Sequence, residues 1–195
     1  MILASYLDAL FASTGQRVYE GSRREPVTAL AHALQCAQRA EWAQADAALV
    51  IAAFLHDVGH LLAGSCPDDL DDAHERAGAD FLEAHLGADV TEPIRLHVQA
   101  KRYLVGTDPA YARTLTPASR HSLALQGGPL DAEGIARFEA LQHADRAVAL
   151  RRWDDAAKEP GKKTPPLAYY LDMLEALQQQ PFHDSRIAIG STTIA

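Results

Sequence analysis

Cysteine is scarce in this chain. Cys36 and Cys66 are the two present, and they form no Cys-x-x-Cys pair. That usage fits a reducing compartment better than a disulfide framework. Positive charge is in deficit: the net charge is −8 with histidine neutral. Overall charge therefore gives no hold on a nucleic-acid backbone, although a local basic pocket can still take a small anion. No apolar run is long enough to span a bilayer, and the start MILASYLDALFAS lacks the basic flank of a signal peptide. The expectation is a soluble cytoplasmic protein with neither a membrane nor a nucleic-acid partner. There is no Gly-rich phosphate loop, no internal repeat, no low-complexity tract, and no alternating pattern long enough to build a sheet.

What is present is helical periodicity. The segment Ile2 to Ala12 places Ile2, Leu3, Tyr6, Leu7, Leu10 and Phe11 at helical spacing. Thr28 is a candidate N-cap for a helix from Ala29 to about Ala43. The run from Asp46 through His60 is apolar nearly all round as far as His56, which predicts one buried helix at the centre of the fold. Further helices are expected from about Ala73 to His85, closed by Gly87, and from about Val90 to Ala100. Gly106 to Ser119 reads as turn-rich and partly irregular. The last helices fall at about Asp131 to Trp153 and Pro166 to Gln178, separated by the polar, Pro-rich stretch from Lys158 to Pro166. The class is all-α.

Nine histidines are many for 195 residues, and their order matters more than their number. His56 and Asp57 adjoin each other at the end of the apolar helix. A carboxylate buried there without a partner would cost several kcal/mol, so the position calls for a compensating cation. A metal supplies it, and imidazole with carboxylate suits iron, manganese or zinc. No cysteine adjoins the pair in sequence, which argues against a thiolate site. The other ligands must come from separate helices: His32 before the pair, His74 and His97 after it, and an acid from Asp145, Asp154 or Asp155. That is the H…HD…H…H…D order of an HD-domain site, made more specific by Gly59 and His60 in His-Asp-Val-Gly-His. Two histidines beyond the pair are what a two-metal site requires. His85, His121, His143 and His183 read as ordinary surface or hydrogen-bonded residues.

Four stretches then resemble one known family: His32-Ala-Leu-Gln-Cys-Ala, Leu55-His-Asp-Val-Gly-His60, His97-Val-Gln-Ala-Lys-Arg-Tyr-Leu104 and Arg151-Arg-Trp-Asp-Asp-Ala-Ala-Lys158. Together they are similar to the PhnZ-type HD-domain oxygenases, over about residues 15 to 180. The resemblance implies a single HD-domain helical bundle over residues 1–180, with 181–195 as a C-terminal tail. It implies cleavage of the carbon–phosphorus bond of a 1-hydroxy-2-aminoethylphosphonate, bearing a primary or trimethylated amine, by two iron ions of mixed valence and O2. The products would be phosphate and glycine or glycine betaine.

Carried over by position, the implied iron ligands are His32, His56, Asp57, His74, His97 and Asp154, with Asp57 bridging. The implied phosphonate binders are His60, Lys101, Ser119, Ser122 and Arg151, cations and donors suited to a dianion. Asp57, His60 and Lys101 are the implied catalytic groups. Tyr19 would occupy one iron until substrate displaces it, and Glu25 would meet the substrate's ammonium. Between those two residues this chain departs from the family's Tyr-x-Gly-Glu: Ser22-Arg23-Arg24 stand between Gly21 and Glu25.

Two other functions fit an HD site. A metal-dependent phosphohydrolase of a nucleotide or small phosphate ester would use metal-bound hydroxide and no oxygen. A non-catalytic HD module would bind a ligand or partner, but such modules usually lack a ligand, and here every expected ligand type is present.

Overall fold

The stretch Leu49 to Leu55 offers apolar side chains in every direction, and a helix of that kind must be covered on all sides. In the computed structural model, which describes residues 2–18, 25–63, 71 and 73–179, it is so covered, and all of these seven side chains are buried. The chain runs through α1 (Leu3–Thr14), α2 (Ala29–Trp42), α3 (Ala47–Leu55), α4 (Val58–Ala63), α5 (His74–Glu83) and α6 (Ala88–Thr107). It continues through α7 (Pro109–Thr114), α8 (Pro117–Leu125), α9 (Ala132–Glu139), α10 (Ala144–Ala156) and α11 (Leu167–Gln178). No strand occurs among the described residues. The fold is an all-α bundle.

α3 is the axis. Asp46 caps it, its carboxylate accepting from the Leu49 amide at 2.9 Å. Phe54 stacks between Phe11 of α1 and Tyr170 of α11, with ring centroids 5.2 and 5.6 Å away. Each fully buried residue of this kind stabilises the fold by roughly 1.5–3 kcal/mol. α2 lies alongside, started by Thr28, whose hydroxyl accepts from the Ala31 amide at 3.2 Å. A second apolar cluster joins Ala100 of α6, Phe138 of α9, and Ala144 and Ala147 of α10. A third gathers Leu104, Tyr111, Leu115 and Leu123 around α7 and α8. No described helix is long and apolar enough to cross a membrane.

Several boundaries differ from the sequence expectation. The apolar helix ends at the His56–Asp57 pair, as its sequence indicates, but a separate short helix, α4, starts at Val58. Gly87 does not close α5, which ends at Glu83; its extended backbone starts α6 instead. α6 runs on to Thr107, well beyond Ala100, and contains Pro93. Proline cannot donate to the Asp89 carbonyl four residues back. That carbonyl accepts from Arg146 Nη2 at 3.3 Å. The stretch expected to be partly irregular holds α7 and α8, each begun by a cap-and-proline pair: Asp108 with Pro109, and Thr116 with Pro117. The single helix expected from Asp131 to Trp153 is two, α9 and α10, split at residues 140–143. The tail at 181–195 and most of the acidic stretch from Asp68 to Asp72 lie outside the described residues.

Candidate metal centre and anion pocket

The break at His56–Asp57 puts that pair where α2, α5, α6 and α10 converge. His32 comes from α2, His74 opens α5, His97 sits within α6, and Asp154 lies near the end of α10. His74 follows Ala73, whose backbone is left-handed (φ 47°), a conformation costing a non-glycine residue roughly 1 kcal/mol.

Two facing pairs of imidazoles result. His32 Nε2 and His56 Nε2 are 3.3 Å apart, and His74 Nε2 and His97 Nε2 are 3.1 Å apart. Asp57 stands between the pairs. Its Oδ1 lies 3.4 Å from His56 and from His74 and 3.8 Å from His97, while Oδ2 lies 3.7 Å from His32. Asp154 closes the first pair, with Oδ1 3.1 Å from His32 Nε2 and Oδ2 3.8 Å from His56 Nε2. Asp155 turns instead toward Arg151, and Asp145 is exposed beside the Arg146 amide.

The tautomers are what make this arrangement informative. His32 Nδ1 meets the Ala157 carbonyl at 3.0 Å, His56 Nδ1 meets Ala53 at 2.9 Å, and His97 Nδ1 meets Ile94 at 2.7 Å. A carbonyl only accepts, so each Nδ1 carries a proton, and wherever such a ring is neutral its Nε2 presents a bare lone pair. Lone pairs facing each other at such distances repel unless a cation lies among them. The acids press the same demand. Burial works against a charged His56, yet Asp57 and Asp154 outweigh it and lift its pKa to about 10. Burial also works against both carboxylates, and the surrounding His56, His74, His32 and Arg151 nevertheless hold them well below the ordinary range. His97 is held well below its usual value by burial and by the neighbouring imidazolium charges. A metal ion displaces such protons and satisfies donors and acids at once. Four imidazoles and two carboxylates fit it.

One sequence inference needs correcting. Cysteine is not distant from the cluster: the helical turn brings Cys36 Sγ to 3.7 Å from His32 Nε2. Burial, then the charges of Asp154 and Asp57, raise its pKa well above the ordinary value, so it stands there as a neutral thiol.

A pocket opens directly onto the cluster, lined by Asp57, His74 and Asp154 on the metal side and by His60, Lys101 and Arg151 beyond it. His60 stacks on His74 with centroids 3.7 Å apart. Lys101 is 2% exposed and donates to Ser122 Oγ at 2.9 Å. Burial, and then the charge of Arg151, bring its pKa down to about 7. Ser119 and Glu25 also line the wall. Glu25 is paired with Lys158, its Oε1 2.9 Å from Nζ, and its Oε2 is buried without a hydrogen bond. Lys158 also donates to Ser119 Oγ at 3.2 Å. The structure therefore gathers His32, His56, Asp57, His74, His97 and Asp154 into one cluster, and Glu25, His60, Lys101, Ser119, Ser122 and Arg151 around one pocket. Tyr19 lies outside the described residues. Lys158 received no role from the sequence, although it ends the Arg151–Lys158 stretch. His143 is buried and sits 3.9 Å from Asp89.

Comparison with known proteins adds an independent finding. The HD domain family model matches residues 29–148. The chain is 37% identical over 179 residues, 90% of each chain, to the [1-hydroxy-2-(trimethylamino)ethyl]phosphonate dioxygenase (glycine-betaine-forming) of Leisingera caerulea. It is 42% identical over 172 residues, 86% of this chain and 84% of the relative, to the hydroxymethylphosphonate dioxygenase of Gimesia maris. An uncharacterized protein of Acanthamoeba polyphaga mimivirus is 34% identical over 157 residues, 77% of this chain and 71% of that one. α1 and α11 fall outside residues 29–148, which the family model matches, yet contribute Leu3, Leu7, Phe11, Tyr170 and Leu174 to the central apolar cluster.

Proposed function

Because the chain belongs to the HD-domain family, on its PhnZ- and TmpB-like oxygenase branch, we propose that it uses O2 to cleave the C–P bond of a 1-hydroxyalkylphosphonate. The substrate on this reading is a 1-hydroxy-2-aminoethylphosphonate with a primary or trimethylated amine. One O2 is consumed for each phosphate released, and the carbon leaves as a carboxylate, glycine or glycine betaine. Residues 1–180 form the domain that carries the activity. A cytoplasmic location goes with this reading, since the buried Cys36 is then kept as a thiol.

The observation that carries the proposal is a cation- and hydroxyl-lined pocket sharing its wall with a cluster of four imidazoles and two carboxylates. His32, His56 and Asp154 would hold one iron ion and His74 and His97 a second, and Asp57, which lies between the two pairs, would serve both. When bound, such a pair of mixed valence supplies the redox chemistry with O2 and the Lewis acidity that fixes the substrate's oxygens. The chain's own residues do the rest. Lys101, Arg151, Ser119 and Ser122 receive the phosphonate, so its charge is met by two cations that are themselves buried. That orientation turns the C1 hydroxyl toward Asp57 and His60. His60 is held by its stack on His74 and can take the hydroxyl's proton. Lys101 and Arg151 then stabilise the departing phosphate. Glu25, at the far wall, faces the substrate's second carbon.

The test is phosphate release from hydroxymethylphosphonate and from 1-hydroxy-2-aminoethylphosphonates differing in N-methylation, with iron-loaded enzyme, in air and under strict anaerobiosis. Release in air that stops without oxygen is expected. Continued hydrolysis of phosphate esters without oxygen, and no reaction with phosphonates in air, would place the chain among the phosphohydrolases.

A further inference from the structure

Asp155 stands behind Arg151 with its side chain 9% exposed; it does not line the anion pocket but borders a separate cleft beside Tyr111 and Arg152. Several groups converge on its carboxylate. Arg151 donates to it twice, Nε to Oδ2 at 2.8 Å and Nη2 to Oδ1 at 2.6 Å. The Tyr111 hydroxyl donates to Oδ2, and Ser119 Oγ donates to Oδ1 at 3.1 Å. Lys158 Nζ stands 3.9 Å from Oδ1. Arg151, Ser119 and Lys158 among these line the pocket, and the two that donate hydrogen bonds to Asp155, Arg151 and Ser119, sit on different helices, α10 and α8. One acid holds both.

We propose that Asp155 is a positioning residue of the anion subsite, orienting Arg151 to receive a phosphonate or its product, inorganic phosphate, while it takes the one hydroxyl proton of Ser119 and so fixes that side chain beside the guanidinium. This rests on the reading of the pocket as a phosphonate site. The guanidinium shows how the orientation arises. Of its five N–H groups, two go to Asp155, and Nη1 reaches Asp154 Oδ2 at 2.7 Å. A planar fork held on both sides cannot rotate, and the two N–H groups that remain are those it can offer an anion. Tyr111 locks the carboxylate in turn, since its hydroxyl also lies 3.3 Å from Arg151 Nε. Without the charge of Asp155, the guanidinium would keep Asp154 as its one carboxylate partner and could pivot about that contact, so its remaining N–H groups would no longer be aimed at the pocket.

The experiment compares Asp155→Asn and Tyr111→Phe with the parent enzyme, all iron-loaded, using two probes. The first is the Kd of inorganic phosphate; the second is the steady-state KM and kcat for the best phosphonate of the panel. For Asp155→Asn the phosphate Kd and the KM should both rise about tenfold or more, the loss of one charge-assisted contact. For Tyr111→Phe, the milder change, about threefold is expected. KM should move more than kcat, and iron content should stay level. Unchanged phosphate affinity in both variants would overturn the proposal, as would a loss of iron with phosphate affinity intact, which would make Asp155 a support for Asp154 alone. Should Asp155→Asn fail to fold, Tyr111→Phe decides. A parent enzyme that binds phosphate but releases none from any phosphonate would instead defeat the functional reading, and the phosphate Kd still judges Asp155.

Discussion

Gly59 rests its α-carbon against the carbonyl of His74: a Cβ at position 59 would stand 2.0 Å from that oxygen. The approach is mutual, since a Cβ on Gly78 would meet the Gly59 nitrogen at 3.1 Å. α4 and α5 therefore cross backbone to backbone, and this contact sets how deeply His74 reaches toward Asp57. Gly59→Ala should cost about 2–4 kcal/mol and withdraw His74 from the cluster. Denaturant unfolding and metal analysis of the purified variant check both effects. A variant of parental stability and full iron content would contradict this account.

Asp57 meets both imidazole pairs, so its loss should empty the whole centre. Asp57→Ala is expected to abolish iron binding and oxygen-dependent phosphate release together, read by metal analysis and single-turnover assay. Full turnover by an iron-free Asp57→Ala variant would refute the ligand assignment.

Lys101 gives a pH dependence whose sign can be worked out. Its pKa falls from 10.5 to about 7, chiefly through burial. Below pH 7 the ammonium is present and can meet an anion; above it the free enzyme carries a neutral amine. Phosphate affinity should therefore fall by up to about tenfold per pH unit above 7. Stability should move the other way. Between about 7 and the unfolded value near 10.5 the unfolded chain binds the extra proton, so this group favours the fold increasingly as pH rises through that window. In Lys101→Arg the side chain stays charged, and the alkaline fall in affinity should vanish. A titration of phosphate binding against pH in both proteins reads this directly.

Lys158 and Glu25 form a pair in which both side chains are about nine-tenths buried, 10% and 12% exposed. Removing one partner strands the other charge. Lys158→Met should cost roughly 3 kcal/mol, and adding Glu25→Gln to it should recover most of that loss. Urea unfolding of the two single variants and the double variant measures the coupling; additive effects would show that the pair does not interact.

Much of the site was legible because helix periodicity and ligand chemistry coincide. Thr28 and Asp46 are capping residues directly before apolar-periodic stretches, and both cap helices. The order of His32, His56, Asp57, His74 and His97 reads as ligands on separate helices from the sequence alone. The end of the apolar helix at His56–Asp57 was legible, but the fresh start of α4 at Val58 was not, because no separate apolar period marks it. The split between α9 and α10 has no glycine or proline to mark it; packing of Phe138 and Ala147 against Ala100 decides it. Adjacent acids pose a sharper problem. Asp154 and Asp155 point about 100° apart on a helix, and spacing alone does not say which faces the histidines. Cys36 could have been found: four residues beyond His32, it shares that residue's helix face.

The grip of Arg151 on Asp154 at one edge and Asp155 at the other has a thermodynamic corollary. A guanidinium shared between an ion's ligand and an anion's seat makes the two occupancies interdependent, and such coupling is reciprocal. Whatever factor the loaded ion adds to the hold on phosphonate, phosphonate returns to the hold on the ion. A filled pocket should accordingly slow the stripping of iron by chelators, so that the enzyme guards its metal best while it has work to do.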